Sequence, residues 1–217
     1  MSMLPVRRAR RAGARGQSLV EFSLIVPLFL LVLFGMMEFG CIFSHDLTIE
    51  YASREGARAG AALVNGGGTL GCGTGQSPNS TTVDPLIIAA VERVLQSPGS
   101  QVVVAHVSQI VIYKANPTTG ADDQGLENVW KYQQGTIPTV DGQPLNFGAT
   151  SVGWQACNRN NVTNSTGSPP PDSLGVSVTY TYNFVTPLAS ILGFFGGGTP
   201  TLTVTDRTVM QLNPTAS

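Results

Sequence analysis

From Leu24 to Met37 the chain runs fourteen residues without a charged or strongly hydrogen-bonding side chain, and past Glu38 the apolar character continues to Phe43. Twenty such residues in a helix rise about 30 Å, the thickness of a bilayer hydrocarbon core, where a helix satisfies its own backbone. A chain with this segment is committed to a membrane span or to a removable export signal. Five arginines (Arg7, Arg8, Arg10, Arg11 and Arg15) precede the run with no acid among them, whereas the rest of the chain carries seven basic and thirteen acidic residues. That asymmetry places the N-terminus in the cytoplasm and exports everything after about residue 44.

A cleavable signal peptide needs an apolar core of roughly 7 to 15 residues followed by small residues in an A-x-A-like arrangement. Here the run ends Glu38-Phe39-Gly40-Cys41-Ile42-Phe43, which offers no such site. Glu38 and Phe39 also stand where a lipoprotein reading of Cys41 requires small or aliphatic residues. The arginine pairs are compatible with twin-arginine export, but the apolar run is too long and lacks a cleavage site behind it. The reading is one span, N-terminus in and C-terminus out.

At the cytoplasmic edge stands Arg15-Gly16-Gln17-Ser18-Leu19-Val20-Glu21-Phe22. A glycine closes the basic leader, and a glutamate and a phenylalanine follow five and six positions later. This pattern resembles the processing site of type IV pilins and pseudopilins, most closely that of the TadE-like proteins of the tight-adherence (Flp) pilus. The resemblance implies that a prepilin peptidase cuts between Gly16 and Gln17, removing residues 1–16. Glu21 and Phe22 then lie near the start of the mature helix and act in assembly.

A carboxylate inside a span costs on the order of 2.5–3.5 kcal/mol at the centre and less near the interface. The ammonium created by cleavage at Gln17 offsets that cost, and the family reading pairs Glu21 with the N-terminal amine of a neighbouring subunit. The alternative use of Glu21 is snorkelling to the headgroups. Pro27 removes a helix hydrogen bond within the span, which membrane helices tolerate. Gly35 and Gly40 are thin spots on the helix without being a GxxxG pair.

The span is read as residues 17–43 and is followed by an exported, alanine-rich stalk helix over 44–64. Glu50, Arg54 and Arg58 recur every four residues there and form a solvated charged face. The stretch Tyr51-Ala-Ser-Arg54-Glu55-Gly-Ala-Arg58-Ala-Gly-Ala also looks like the TadE-like segment after the span, and Asn65-Gly66-Gly67-Gly68 ends the helix.

Residues 65–217 are expected to form an exported α+β domain of type IV pilin-like architecture, with a second helix packed on an antiparallel sheet. Asp84 as cap and Pro85 as first residue start that helix. Ile87, Ile88, Val91, Val94 and Leu95 form its apolar face, and Ser97-Pro98-Gly99 stops it. Strands are expected over Gln101–Tyr113, over Leu174–Phe184 with Leu174, Val176, Val178, Tyr180, Tyr182 and Phe184 facing inward, and over Thr201–Leu212 with Leu202 and Val204 inward and a bulge near Asp206-Arg207. Val185–Phe195 is an unusually apolar connection that packs under the sheet or touches the membrane or a neighbour. The strands and closing Arg207-Thr-Val-Met210-Gln look like the C-terminal half of TadE-like proteins. Residues 115–172 form a polar insertion read as a long loop, in which Trp130, Tyr132, Phe147 and Trp154 pack locally.

Cys41 at the end of the span behaves as a small hydrophobe. Cys72 and Cys157 both fall in exported segments, and a bridge between them is expected, with two free thiols as the alternative. His45 sits at the membrane edge and His106 in a strand, neither near a nucleophile motif, and Asp122, Asp123 and Glu127 lack the spacing of a calcium loop. No catalytic residue, metal site or cofactor is expected. The basic leader leaves no basic patch on the exported body, which argues against nucleic acid, and no small-molecule substrate is expected.

The function so read is that of a minor pseudopilin of a tight-adherence pilus or related secretion system in the bacterial cytoplasmic (inner) membrane. Its partners are prepilin peptidase, other pseudopilins and pilus assembly proteins, and the lipid bilayer. The alternative is a single-pass, membrane-anchored extracytoplasmic binding domain with an uncleaved anchor.

Overall fold

The computed structural model describes residues 14–63, 80–163, 170–196, 200–213 and 215–216. Helix α1 (Ala14–Ala62) is a single run of 49 residues that Pro27 does not end. The chain divides into two compact units, residues 1–40 with 184–200 and residues 41–183 with 201–217, and α1 passes from the first into the second.

In the first unit α1 contains an 18-residue window apolar enough to cross a membrane, none of it buried. Leu19, Phe22, Leu24, Phe29, Met36 and Phe39 all stand exposed along it. Water would not hold such a surface open, whereas lipid tails are as apolar as the side chains themselves. The same unit contains α3 (Leu188–Gly196), a nine-residue helix without a charged side chain.

The second unit is built on an antiparallel sheet. The strands in chain order are β1 (Val107–Ala115), β2 (Asp122–Tyr132), the two-residue strands β3 (Thr139–Val140) and β4 (Gln143–Pro144), β5 (Phe147–Val152), β6 (Val162–Thr163), β7 (Ser173–Asn183), β8 (Thr201–Gln211) and β9 (Thr215–Ala216). Five of them form the main sheet in the order β5-β2-β1-β7-β8, β3 pairs with β4, and β6 pairs with β9. Leu174, Val176, Val178, Tyr180 and Tyr182 of β7 are all buried, as their alternation requires. Ile87, Ile88, Val91 and Leu95 of α2 (Ser80–Leu95) are completely buried with them. The architecture is α+β, with a long N-terminal helix, a second helix and an antiparallel sheet.

Several local expectations are corrected. Helix α2 begins at Ser80, so Asp84 is an interior residue rather than its cap, and Pro85 lies inside the helix. Asp84 instead receives hydrogen bonds and an ion pair from the insertion, which fixes its side chain away from the helix end. The strand expected from Gln101 starts only at Val107, and His106 lies in a single 3-10 turn, Val104–His106, before it. No bulge occurs at Asp206-Arg207, because β7 and β8 keep unbroken register from Ser173↔Gln211 to Asn183↔Thr201. Leu202 and Val204 share a face with Tyr182 and Tyr180, but β8 is the sheet edge and Leu202 stays 40% exposed.

The largest correction concerns residues 115–172. Rather than a long loop, this segment supplies β2 and β5, which extend the main sheet beyond β1. Trp130, Phe147 and Trp154 are buried, and the Tyr132 and Phe147 rings meet edge to face at 5.9 Å. The glycine run at 65–68 lies outside the described residues.

Candidate assembly site

Residues 16–22 lie near the start of α1. Gly16 and Gln17 are helical, and among the described residues nothing approaches within 4 Å of the position a side chain at Gly16 would take. Glu21 and Phe22 follow one turn on, both exposed, with Gln17 Nε2 donating to Glu21 Oε1 at 3.1 Å. Residues 1–13 lie outside the described residues. The geometry presents a carboxyl group on the same helix face as the backbone nitrogen of Gln17, one turn apart. A side chain at Gly35 or Gly40 would likewise meet nothing within 4 Å.

At the other end of the exposed apolar stretch, Glu38 is 2% exposed. Its two oxygens accept the backbone N–H groups of Val185 and Thr186, at 2.9 and 3.1 Å. These residues lie in the segment that leads into α3, so the carboxyl group satisfies two backbone donors just ahead of that helix. In the sequence Glu38 stands only as an interruption of the apolar run, with no partner to pair it with.

The second half of α1 is held differently. Ala52, Ser53, Ala57 and Ala61 are buried. A side chain at Gly56 would come within 2.6 Å of Val91, and one at Gly60 within 2.8 Å of Leu174. Glycine at these two positions lets the helix backbone come close to α2 and β7. The spacing Gly56-Ala-Arg-Ala-Gly60 was the readable signal, hidden beside the charged face. That charged face is solvated as expected: Arg54 pairs with Glu50, and Arg58 pairs with Glu55 at 2.6 Å, its partner being three residues away rather than four. The Arg58 guanidinium lowers the Glu55 carboxyl below its ordinary value.

Two polar contacts fix the same helix. Ser53 Oγ donates to the Asp206 carboxylate and lies 2.8 Å from Thr208 Oγ1, tying α1 to β8. His45 is buried, with Nδ1 2.6 Å from the Cys41 carbonyl oxygen and Nε2 3.0 Å from that of Gln101, and its ring stacks on Tyr180 at 5.4 Å. His106 is half-buried, its Nε2 3.4 Å from Asn183 Nδ2. Both histidines are used structurally.

The insertion is clamped by two acids of α2. Asp84 accepts from Asn128 Nδ2 at 2.6 Å and pairs with Arg159 Nη2 at 2.6 Å, and Arg159 also lies over the Trp154 ring at 4.6 Å. Eight residues on, Glu92 accepts the backbone N–H of Asn146 at 2.8 Å and that of Phe147 at 3.2 Å. Two acids on a helix otherwise made for a core were the signal that a polar partner packs there. A cavity of about 470 Å³ opens beside Asp84, lined also by Pro85, Trp130, Pro138 and Val152. Its carboxyl group is already engaged by Asn128 and Arg159, so the cavity walls are mainly apolar.

Cys41 is a free thiol at the boundary between the two halves of α1. Cys157 lies in a single 3-10 turn, Ala156–Asn158, whereas Cys72 lies outside the described residues. Among the described residues no cluster of histidine, cysteine and acidic side chains has the makings of a metal site.

Residues 16–58 match the family model of TadE-like proteins. The match begins at Gly16, runs through the apolar segment and ends at Arg58, so the C-terminal strands fall outside it. No curated protein and no solved structure matches the chain.

Proposed function

We propose that the chain is a minor pseudopilin of a tight-adherence (Flp) pilus or a related secretion system. A prepilin peptidase removes residues 1–16 on the cytoplasmic face. The chain beginning at Gln17 then stays in the bacterial cytoplasmic membrane through α1, with its larger unit on the outside. The observation that carries this reading is the coincidence of Gly16, the TadE-like match that starts there, and a helix that leaves Leu19, Phe22, Leu24, Phe29 and Met36 exposed.

The physical route to assembly follows from those residues. Cleavage leaves an ammonium at Gln17 and a carboxylate one turn later at Glu21, both at the edge of the hydrocarbon. In one helix these groups are held side by side. Between neighbouring helices the carboxylate of one subunit meets the ammonium of the next, which offsets the cost of both charges in a low-dielectric setting. Phe22, Leu24 and Phe29 supply van der Waals contact between subunits, since lipid provides no hydrophobic drive. The exported unit then primes, caps or anchors the fibre. The protein acts by assembly with other pseudopilins and pilus assembly proteins and carries out no chemistry of its own. A Cys72–Cys157 bridge belongs to the same proposal, closing a long loop in the exported unit.

Substituting Glu21→Ala tests the reading. Membrane insertion becomes easier because a charge leaves the span, whereas pilus assembly is lost. Normal piliation with an E21A chain would point instead to a plain membrane anchor for a binding domain.

A further inference from the structure

We infer that α3 is a membrane-surface helix, its apolar side chains seated in the outer interfacial layer of the same bilayer that α1 spans and its start held there by Glu38. The inference goes beyond the assembly role and rests only on α1 crossing a bilayer.

Three observations place α3 at that depth. Glu21 and Glu38 bracket the charge-free stretch of α1, and seventeen residues of helix separate them by about 25 Å, close to the thickness of a hydrocarbon core. Glu38 therefore stands at the outer edge of the core. There its carboxyl group accepts Val185 N–H and Thr186 N–H, so the start of α3 is fixed at the same level. Finally, α3 and residues 1–40 of the chain belong to one compact unit.

The composition of α3 fits that place. Nine residues rise about 13 Å, far too short to cross, so an apolar helix of this length at a membrane lies in the interface. Val185 is 73% exposed and Phe194 85% exposed, which is costly in water and favourable among acyl chains. No charged residue occurs anywhere from Ser173 to Thr205. Hence the seat is hydrophobic rather than electrostatic, and it does not require anionic lipid. Glu38 is thereby a positioning residue: it spends its charge on two backbone donors that lipid could not satisfy.

The full chain carrying p-benzoylphenylalanine in place of Phe194, and separately of Leu30 and Val152, is reconstituted into phosphatidylcholine vesicles and irradiated. Leu30 lies in the span and reports the crossing itself; Val152 is an exposed apolar residue of β5. Lipid adducts at 194 are expected within about threefold of those at 30 and about tenfold above those at 152. Adding Glu38→Gln to the 194 variant is expected to lower its lipid adducts about threefold or more while leaving those at 30 unchanged. Adducts at 194 no more frequent than at 152, or adducts to a second copy of the chain in place of lipid, would overturn the inference.

Discussion

Along one uninterrupted helix the chain presents two opposite kinds of surface. Between Leu19 and Phe39 most side chains are large, apolar and exposed; between Ile49 and Ala61 one face is reduced to alanine, serine and glycine and is buried. On the first surface a side chain added at Gly35 would touch no described residue within 4 Å. The second is already in contact with valine and leucine side chains of α2 and β7. Large side chains suit a helix that meets lipid and other subunits, because reach and area do the packing. Small ones suit a helix laid closely on a sheet, because backbone proximity does it. Polar groups divide the same way: Glu21 is exposed in one half, whereas Ser53 in the other is buried and bonded to Asp206.

The sharpest contrast comes from removing a charge in each region. Arg159→Ala strips a buried ion pair of one partner and leaves Asp84 uncompensated, at a cost of about 3–5 kcal/mol. Urea unfolding of the full chain in detergent micelles measures this, and Glu21→Ala in the same assay is expected to leave the midpoint unmoved. A loss below about 1 kcal/mol for R159A would mean that the Asp84–Arg159 pair is solvated and does not clamp the insertion.

Adding bulk to the two halves gives the next largest difference. Gly56→Leu forces side chain into Val91 and Val176 and is expected to cost about 2–3 kcal/mol of stability. Gly35→Leu meets open space and is expected to leave the unfolding midpoint within about 0.5 kcal/mol of the parent chain. Equal effects at the two positions would erase the distinction between the halves.

The smallest expected effect is a response to alkali in the larger unit. Burial raises the phenols of Tyr113 and Tyr180 above the ordinary value of 10.0. Below that value both phenols are neutral in the folded and unfolded chain, and the stabilising contribution is complete. As pH rises past it the unfolded chain ionises first, so stability falls through the range up to the folded values. Absorbance titration is expected to show Tyr113 and Tyr180 ionising late, and Tyr113→Phe with Tyr180→Phe is expected to remove their part of the late absorbance change.

Much of this was readable because it depends on local pattern. The charge-free run from Leu24, the inward alternation of Leu174 to Tyr182 and the face Ile87-Ile88-Val91-Leu95 each satisfy one neighbour at a fixed period, so periodicity alone identifies them. What escaped depends on partners far away in sequence. Asp84 looked like a cap because its use lies at Asn128 and Arg159, and β2 looked like loop because Asp122-Asp123-Gln124-Gly125 carries no alternation. Gly56 and Gly60 gain their meaning from Val91 and Leu174, which stand against them from distant parts of the chain. Among the candidate assembly residues, Gly16 and Glu21 were found through a motif, whereas the tie from Glu38 to Val185 and Thr186 spans nearly 150 residues and has no motif at all.

The contrast between the two halves has functional meaning only if α1 is handed over to an assembly after its leader is removed. The mass and N-terminal sequence of the protein purified from its native membrane test this most directly. The account predicts a chain that starts at Gln17. A chain still carrying Arg7 to Arg15 would contradict it and leave a simple anchor, and a start beyond Cys41 would make the apolar segment a discarded signal.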